Sequence, residues 1–228
     1  KAKTREAKLG CVFTQTELDE NQRPVRDENS TTYVGAIETA EAFGIRIYAE
    51  AIRRGVTRAG KVIILGDGAH WIWGIAEEHF YGAIQIVDLY HAREHLAAIA
   101  KNVYGASALK SKQWMEARRE ELDAGDVEAV IASMRRLRPS HTKVQEEVLT
   151  AMDYFHKNAE RMRYADFRKQ GLFVGSGVVE AGCKMICGQR LKLSGMHWTV
   201  RGANAIIALR CCQLSGRWEE FWEARAVG

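Results

Sequence analysis

Proline is nearly missing from this chain. Only Pro24 and Pro139 occur in 228 residues, so little in the sequence forces long elements to break. No apolar run approaches the ~18–20 residues that span a bilayer, and no signal-peptide pattern opens the chain, so no membrane partner is expected. Cys-x-x-Cys pairs are absent. The five cysteines, an odd number, include the adjacent pair Cys211 and Cys212 and the pair Cys183 and Cys187, four apart. That spacing suits neither a zinc ribbon nor a disulfide framework, and it points to a reduced, cytoplasmic chain. Tandem repeats and low-complexity linkers are also absent. Acid is scarce in one stretch: residues 176–217 hold Lys184, Arg190, Lys192, Arg201, Arg210 and Arg217 against the single acid Glu180. A local cationic stretch of this kind either binds phosphates or forms a solvated helix face.

The apolar fraction is 46% and the charged fraction 27%, with a net charge of +4. These are ordinary values for a globular chain, and they exclude a disordered tail, a collagen-like repeat and a disulfide knot. The length fits one large domain or two small ones.

The hydrophobic period changes along the chain. Residues 8–14 and 31–37 read as two strands that pair as a hairpin, and the polar, turn-rich residues 16–30 between them read as an exposed loop. Ala40, Phe43, Ile47, Ala51 and Ile52 line one face of a helix ending near Gly55. Val62 to Leu65 form a short apolar run flanked by glycines, as expected of a buried strand. A short helix over 69–80 and a strand over 83–91 complete a βαβ pattern. From Ala92 the chain reads as helical almost to its end. Val127, Val130, Ile131, Met134 and Leu137 form one stripe. Val144, Val148, Ala151, Met152 and Phe155 form a second, and the two together predict a helical block at about 106–170 with an apolar seam of its own. A glycine-rich turn, Gly171 to Gly177, precedes the last helices.

Three segments carry residues suited to chemistry. Asp67 sits at the carboxyl end of a predicted buried strand, where ligands bind in open α/β sheets, and a carboxylate there either holds Mg²⁺ or caps the following helix. Asp88 ends the next strand, with His91 three residues on. His91, Glu94 and His95 also spell H-x-x-E-H, the inverted zinc-peptidase pattern, which needs both histidines on a regular helix and a third ligand. The plainer reading is a hydrogen bond between Asp88 and His91 at a helix start. Glu180 falls in the first turn of a helix, with Lys184 and Cys187 on the same face. It is either a match to the helix dipole or a metal-binding acid amid phosphate-binding bases. Trp71, Trp73 and Trp198 are either core or platforms for bases.

Taken in order, DGAHWIW (67–73), IVDLYHAREHL (86–96), GSGVVEAGCK (175–184) and RLKLSGMHWTVRGANAIIALR (190–210) resemble the DDE transposases of bacterial insertion sequences, specifically the Kra-type group. REAKLGCVF (5–13) resembles the stretch that follows that group's first catalytic strand. The resemblance covers nearly the whole chain. It implies an α/β fold with an RNase H-like mixed sheet, flanking helices and an α-helical insertion before the final catalytic Glu. On this reading residues 1–105 are the first part of the core, 106–170 the insertion and 171–228 the helices completing the core. Asp67 matches the second catalytic carboxylate and Glu180 the last, and both are expected to bind metal. Asp88-x-x-His91 matches the D-x-x-H motif of related Mutator-like transposases, an accessory pair.

The resemblance implies two Mg²⁺ (or Mn²⁺) ions that stabilise the attacking and leaving oxygens of an in-line displacement. Water attacks a phosphodiester at the element's end, and the freed 3′-hydroxyl then attacks target DNA. The expected partners are transposon-end and target DNA, held through Lys184, Arg190, Lys192 and Arg201, with a homo-oligomer assembled on the DNA. The family's first catalytic Asp belongs on a strand before REAKLG, so the fragment from Lys1 is expected to bind DNA without cutting it. Two other classes stay open, a non-catalytic DNA-binding remnant and the H-x-x-E-H zinc peptidase.

Overall fold

A computed structural model describes residues 5–106 and 108–226. In chain order the elements are β1 (Lys8–Val12), β2 (Glu17–Leu18), β3 (Pro24–Val25), β4 (Thr32–Ala36), α1 (Ala40–Arg53), β5 (Ile63–Gly66), α2 (His70–His79), β6 (Ile84–Val87), α3 (Leu89–Tyr104), α4 (Leu109–Asp123), α5 (Val127–Arg135), α6 (Thr142–Lys157), α7 (Tyr164–Lys169), α8 (Gly177–Cys183), α9 (Gln189–Leu191), α10 (Val200–Leu214) and α11 (Trp218–Ala226). The fold is therefore mixed α/β, mostly helical, with small sheets. Among the described residues the strands pair as three two-stranded ladders: β1–β4 and β2–β3 antiparallel, β5–β6 parallel. Among the described residues no helix is long and apolar enough to cross a membrane.

The residues divide into two compact units. One holds Lys1–Val62, Gly74–Ala83 and Ser176–Gly228; the other holds Ile63–Trp73 and Ile84–Gly175.

In the first unit β1 and β4 pair from Lys8↔Ala36 to Val12↔Thr32. The polar segment between them is more ordered than a loop. Asp19 Oδ1 accepts from the amides of Asn21 (2.9 Å) and Arg23 (2.8 Å), which closes the small β2–β3 hairpin. Asp27 Oδ1 accepts from both the amide and the hydroxyl of Thr16 at 2.8 Å. Short carboxylates bonding to nearby amides are what turns such polar sequences into fixed structure.

Thr39 caps α1 by accepting from the Ala42 amide. The buried face of α1 carries Phe43 and Ala51 as expected, but Ile52 is exposed and Glu50 is buried instead. Residue 50 falls on the Phe43 face at helical spacing, and its charge is satisfied by a two-pronged bond from Arg217, at 2.7 and 2.9 Å. Helix α10 packs on β4, and Asn204 stitches the two together. Its Oδ1 accepts from the Ile37 amide at 2.7 Å, and its Nδ2 donates to the Ile37 carbonyl at 3.3 Å. Ile186, Ile207 and Cys211 form one buried cluster of this unit, and Phe43, Ala51, Ile75 and Phe80 are buried in the unit as well.

The second unit is built on β5 and β6, in register from Ile63↔Ile84 to Gly66↔Val87. Every residue of the first predicted stripe, Val127, Val130, Ile131, Met134 and Leu137, is buried, as are Val148, Ala151 and Phe155 of the second. Among the described residues the two stripes do not keep to a seam of their own. Ile86 and Val87 of β6 share one continuous core with Leu96, Val127, Val130, Met134 and Phe155. A two-stranded ladder cannot bury its own apolar faces, and here the helical stripes cover them.

Candidate functional site

The carboxyl ends of β5 and β6 meet within the second unit. The amide of Asp88 donates to the Gly66 carbonyl at 2.6 Å, which ties the two strand ends together. Asp67 follows directly on β5 and is exposed. Its Oδ1 accepts from the Ala69 amide at 2.9 Å, steering the chain into α2. The turn is held from the far side of the sequence: the Tyr154 hydroxyl, on α6, donates to the Asp67 carbonyl at 2.9 Å. Burial, and then the negative charges of Asp67 and Asp88, push the Tyr154 phenol well above its ordinary range.

Asp88 is only 1% exposed. Its Oδ1 accepts from the His91 amide at 2.7 Å, so it is the N-cap of α3. The spacing of three in Asp88-x-x-His91 is that of a capping side chain to the amide it satisfies, and the bond runs to the His91 backbone rather than to its ring. The imidazole faces other partners. Its Nδ1 lies 3.4 Å from Glu94 Oε2, and its ring meets that of His95 edge-on with centroids 4.9 Å apart. His95 in turn stacks on Tyr154 at 4.2 Å. Burial first, and His91 second, hold the His95 imidazole below its ordinary value. Asp67, Asp88 and His91 thus gather at one end of the parallel ladder, and His95 and Tyr154 join them.

Glu180 belongs to the first unit, exposed in the first turn of α8. There α8 is pinned to β4. A β-carbon on Gly182 would stand 2.5 Å from the Tyr33 ring, and the Tyr33 hydroxyl donates to the Val178 carbonyl at 3.3 Å. A single π turn, Lys184–Gly188, continues α8. Lys184, Arg190, Lys192 and Arg201 are all exposed, and none forms an ion pair among the described residues. The other two bases of the cationic stretch are engaged: Arg217 with Glu50, and Arg210 with Gln213 and the Met185 carbonyl. The tryptophans divide. Trp73 is a core residue, 5% exposed, with the Arg161 guanidinium over its ring, whereas Trp198 is exposed.

Asp67 fits a hard divalent cation as a single protein ligand, because such ions take one or two carboxylates and fill the rest with water and phosphate oxygens. Asp88, buried and capping, does not present itself to solvent in the same way. Among the described residues no three His, Cys, Asp or Glu side chains group so as to hold a metal ion. His91 and His95 do lie on one regular helix, but the third ligand that the zinc pattern needs is not among the described residues.

Tyr154 is the residue that sequence reasoning missed. It lies on the helix of the second stripe but off its face, and nothing in its local pattern signals a partner 87 residues away. Compared with family models, with curated proteins and with solved structures, the chain gives no match.

Proposed function

We propose that this chain carries catalytic carboxylates of a DDE-type transposase, performing Mg²⁺-dependent DNA cleavage and strand transfer. The observation that carries the reading is Asp67, an exposed carboxylate at the carboxyl end of a parallel strand, with one oxygen fixed by the Ala69 amide. The order of elements supports an RNase H-like core: an antiparallel pair, a helix, a parallel βαβ unit, a helical block, then a helix bearing Glu180. Asp67 and Glu180 are the metal-holding acids. When bound, the ions supply positive charge to the attacking and leaving oxygens of the phosphodiester. Asp88 orients the start of α3 and so the His91 ring, which makes both accessory. Lys184, Arg190, Lys192 and Arg201 hold backbone phosphates, positioning DNA without reading its sequence. The assembly on DNA is a homo-oligomer, working in the cytoplasm.

The test is nicking of supercoiled DNA in Mg²⁺ and in chelator, with any residues encoded upstream of Lys1 included. Asp67→Asn and Glu180→Gln should each reduce cleavage by about 100-fold or more while DNA binding persists, since an amide keeps the shape and loses the charge. Binding without cleavage in the unmutated protein moves the conclusion to a DNA-binding remnant. Tight stoichiometric zinc in the purified protein moves it to the peptidase.

A further inference from the structure

We propose that the exposed apolar side chains leading into α10 form a stacking site for unpaired nucleic-acid bases, with Trp198 as its platform. This rests on the DNA reading above and adds a substrate class to it, single-stranded or frayed DNA. Leu193 is 52% exposed, Met196 41% and Trp198 42%, so three large apolar side chains within six residues face solvent. An indole left out of a core forfeits much of its hydrophobic stabilisation, which a ligand with flat apolar faces restores.

The charge around the patch selects the ligand. Arg190, Lys192 and Arg201 flank it, exposed and outside any ion pair among the described residues. The sequence has no acid between Glu180 and Glu219. Two copies meeting through this patch would bring like charges together. A nucleic-acid strand supplies phosphate anions and aromatic faces at once, the combination that binds single strands without sequence preference.

The platform is also fixed. Thr199, the next residue, caps α10 by accepting from the Gly202 amide at 3.0 Å. Trp198 Cε3 lies 3.6 Å from the position of a β-carbon on Gly202, so the ring rests against the first turn. A base that stacks there does not have to order the side chain first.

The experiment measures fluorescence anisotropy of a labelled oligothymidylate of roughly 20 nucleotides and of a blunt duplex of the same length, with the whole chain at low salt. The oligothymidylate should bind more tightly than the duplex. Trp198→Ala should weaken its binding by between about 5- and 150-fold, the range of one lost base–aromatic stack. Trp198→Phe should retain most of the affinity, and Trp198→Leu should fall with the alanine variant, which separates stacking from apolar bulk. Duplex binding, resting on phosphates, should change little. Lys192→Glu should weaken both probes, and Trp222→Ala neither. If Trp198→Ala unfolds, the phenylalanine and leucine variants still decide the question. Wild-type affinity for oligothymidylate in the leucine and alanine variants, with Lys192→Glu impaired, overturns the stacking site and leaves the DNA reading standing. No binding of either probe by the unmutated protein overturns the DNA reading itself. If Trp198→Ala instead dissolves an oligomer, or abolishes binding to vesicles of anionic lipid, with oligothymidylate binding intact, the patch belongs to a second copy or to a membrane surface.

Discussion

The ring of Tyr154 fills the space in which a side chain on residue 68 would stand: a β-carbon on Gly68 lies 2.6 Å from Tyr154 Cε2, and Gly68 has a φ of +95°. The same tyrosine donates to the Asp67 carbonyl, so α6 braces the turn that presents the candidate carboxylate. Gly68→Ala meets two penalties, a left-handed backbone costing about 1–3 kcal/mol and overpacking costing about 1–3 kcal/mol. Tyr154→Phe loses one hydrogen bond, about 0.5–1.5 kcal/mol. Urea denaturation should rank Gly68→Ala well below Tyr154→Phe in stability. Equal losses would show that the ring does not occupy this space.

The buried pair Glu50–Arg217 yields a pH prediction. Burial alone would raise the Glu50 carboxyl, but bonds from Arg217 and Thr32 outweigh it and leave the group below its ordinary value of 4.5. A carboxyl depressed in the folded state adds stability that is fully present above the unfolded value and is lost as pH falls through the folded one. Arg217→Ala leaves the buried carboxylate with only Thr32 and, at 3.6 Å, Arg53, at a cost of up to about 3–5 kcal/mol near neutral pH, and removes the largest of the forces that keep the carboxyl low. The variant's deficit should therefore shrink as pH drops below 4.5. A deficit that stays constant from neutral pH to about pH 3 would mean the pair is not formed.

The sequence was legible where a pattern is local. The strands around Leu9 and Val34 and the stripe at Val127, Val130 and Met134 follow from periods of two and of 3.6, which depend on neighbours a few residues away. The spacing of Asp88 and His91 was legible too, and its physical content is a helix cap. What stayed hidden is long-range. Glu50 breaks an apolar face because Arg217 lies opposite it, and no periodicity encodes a partner so distant in sequence. The sharing of one core by Ile86 and Phe155 was missed for a related reason. A stripe on a helix says that the face is covered, but not by what.

That shared core can be probed from its helical side. Phe155 is fully buried against the same cluster as Ile86 and Val87. Phe155→Ala should destabilise the second unit by about 3–5 kcal/mol. If strand and helices form one body, amide hydrogen exchange should accelerate in β5 and β6 together with α5 and α6. Faster exchange confined to the helices would restore the idea of a separate seam.

The His91–His95–Tyr154 chain of rings makes the last prediction. His95 is held below its ordinary value of 6.5, by burial first and by the neighbouring His91 second. Followed by NMR, the His95 ring protons should therefore titrate below that value. Replacing His91 by Ala removes the like charge but leaves the burial, so the His95 midpoint should rise without reaching the free value. Tyr154→Ala opens the stacked face and should raise it further. The sign for stability follows from the same shift. An imidazole that resists protonation in the folded state contributes stability above its unfolded value, and loses it as pH falls through the folded one. Wild-type stability should therefore decline on acidification through this window more steeply than that of His95→Gln, which has no proton to gain. Identical pH profiles for the two proteins would show that His95 titrates as freely in the fold as outside it, and the stacked arrangement with Tyr154 would lose its support.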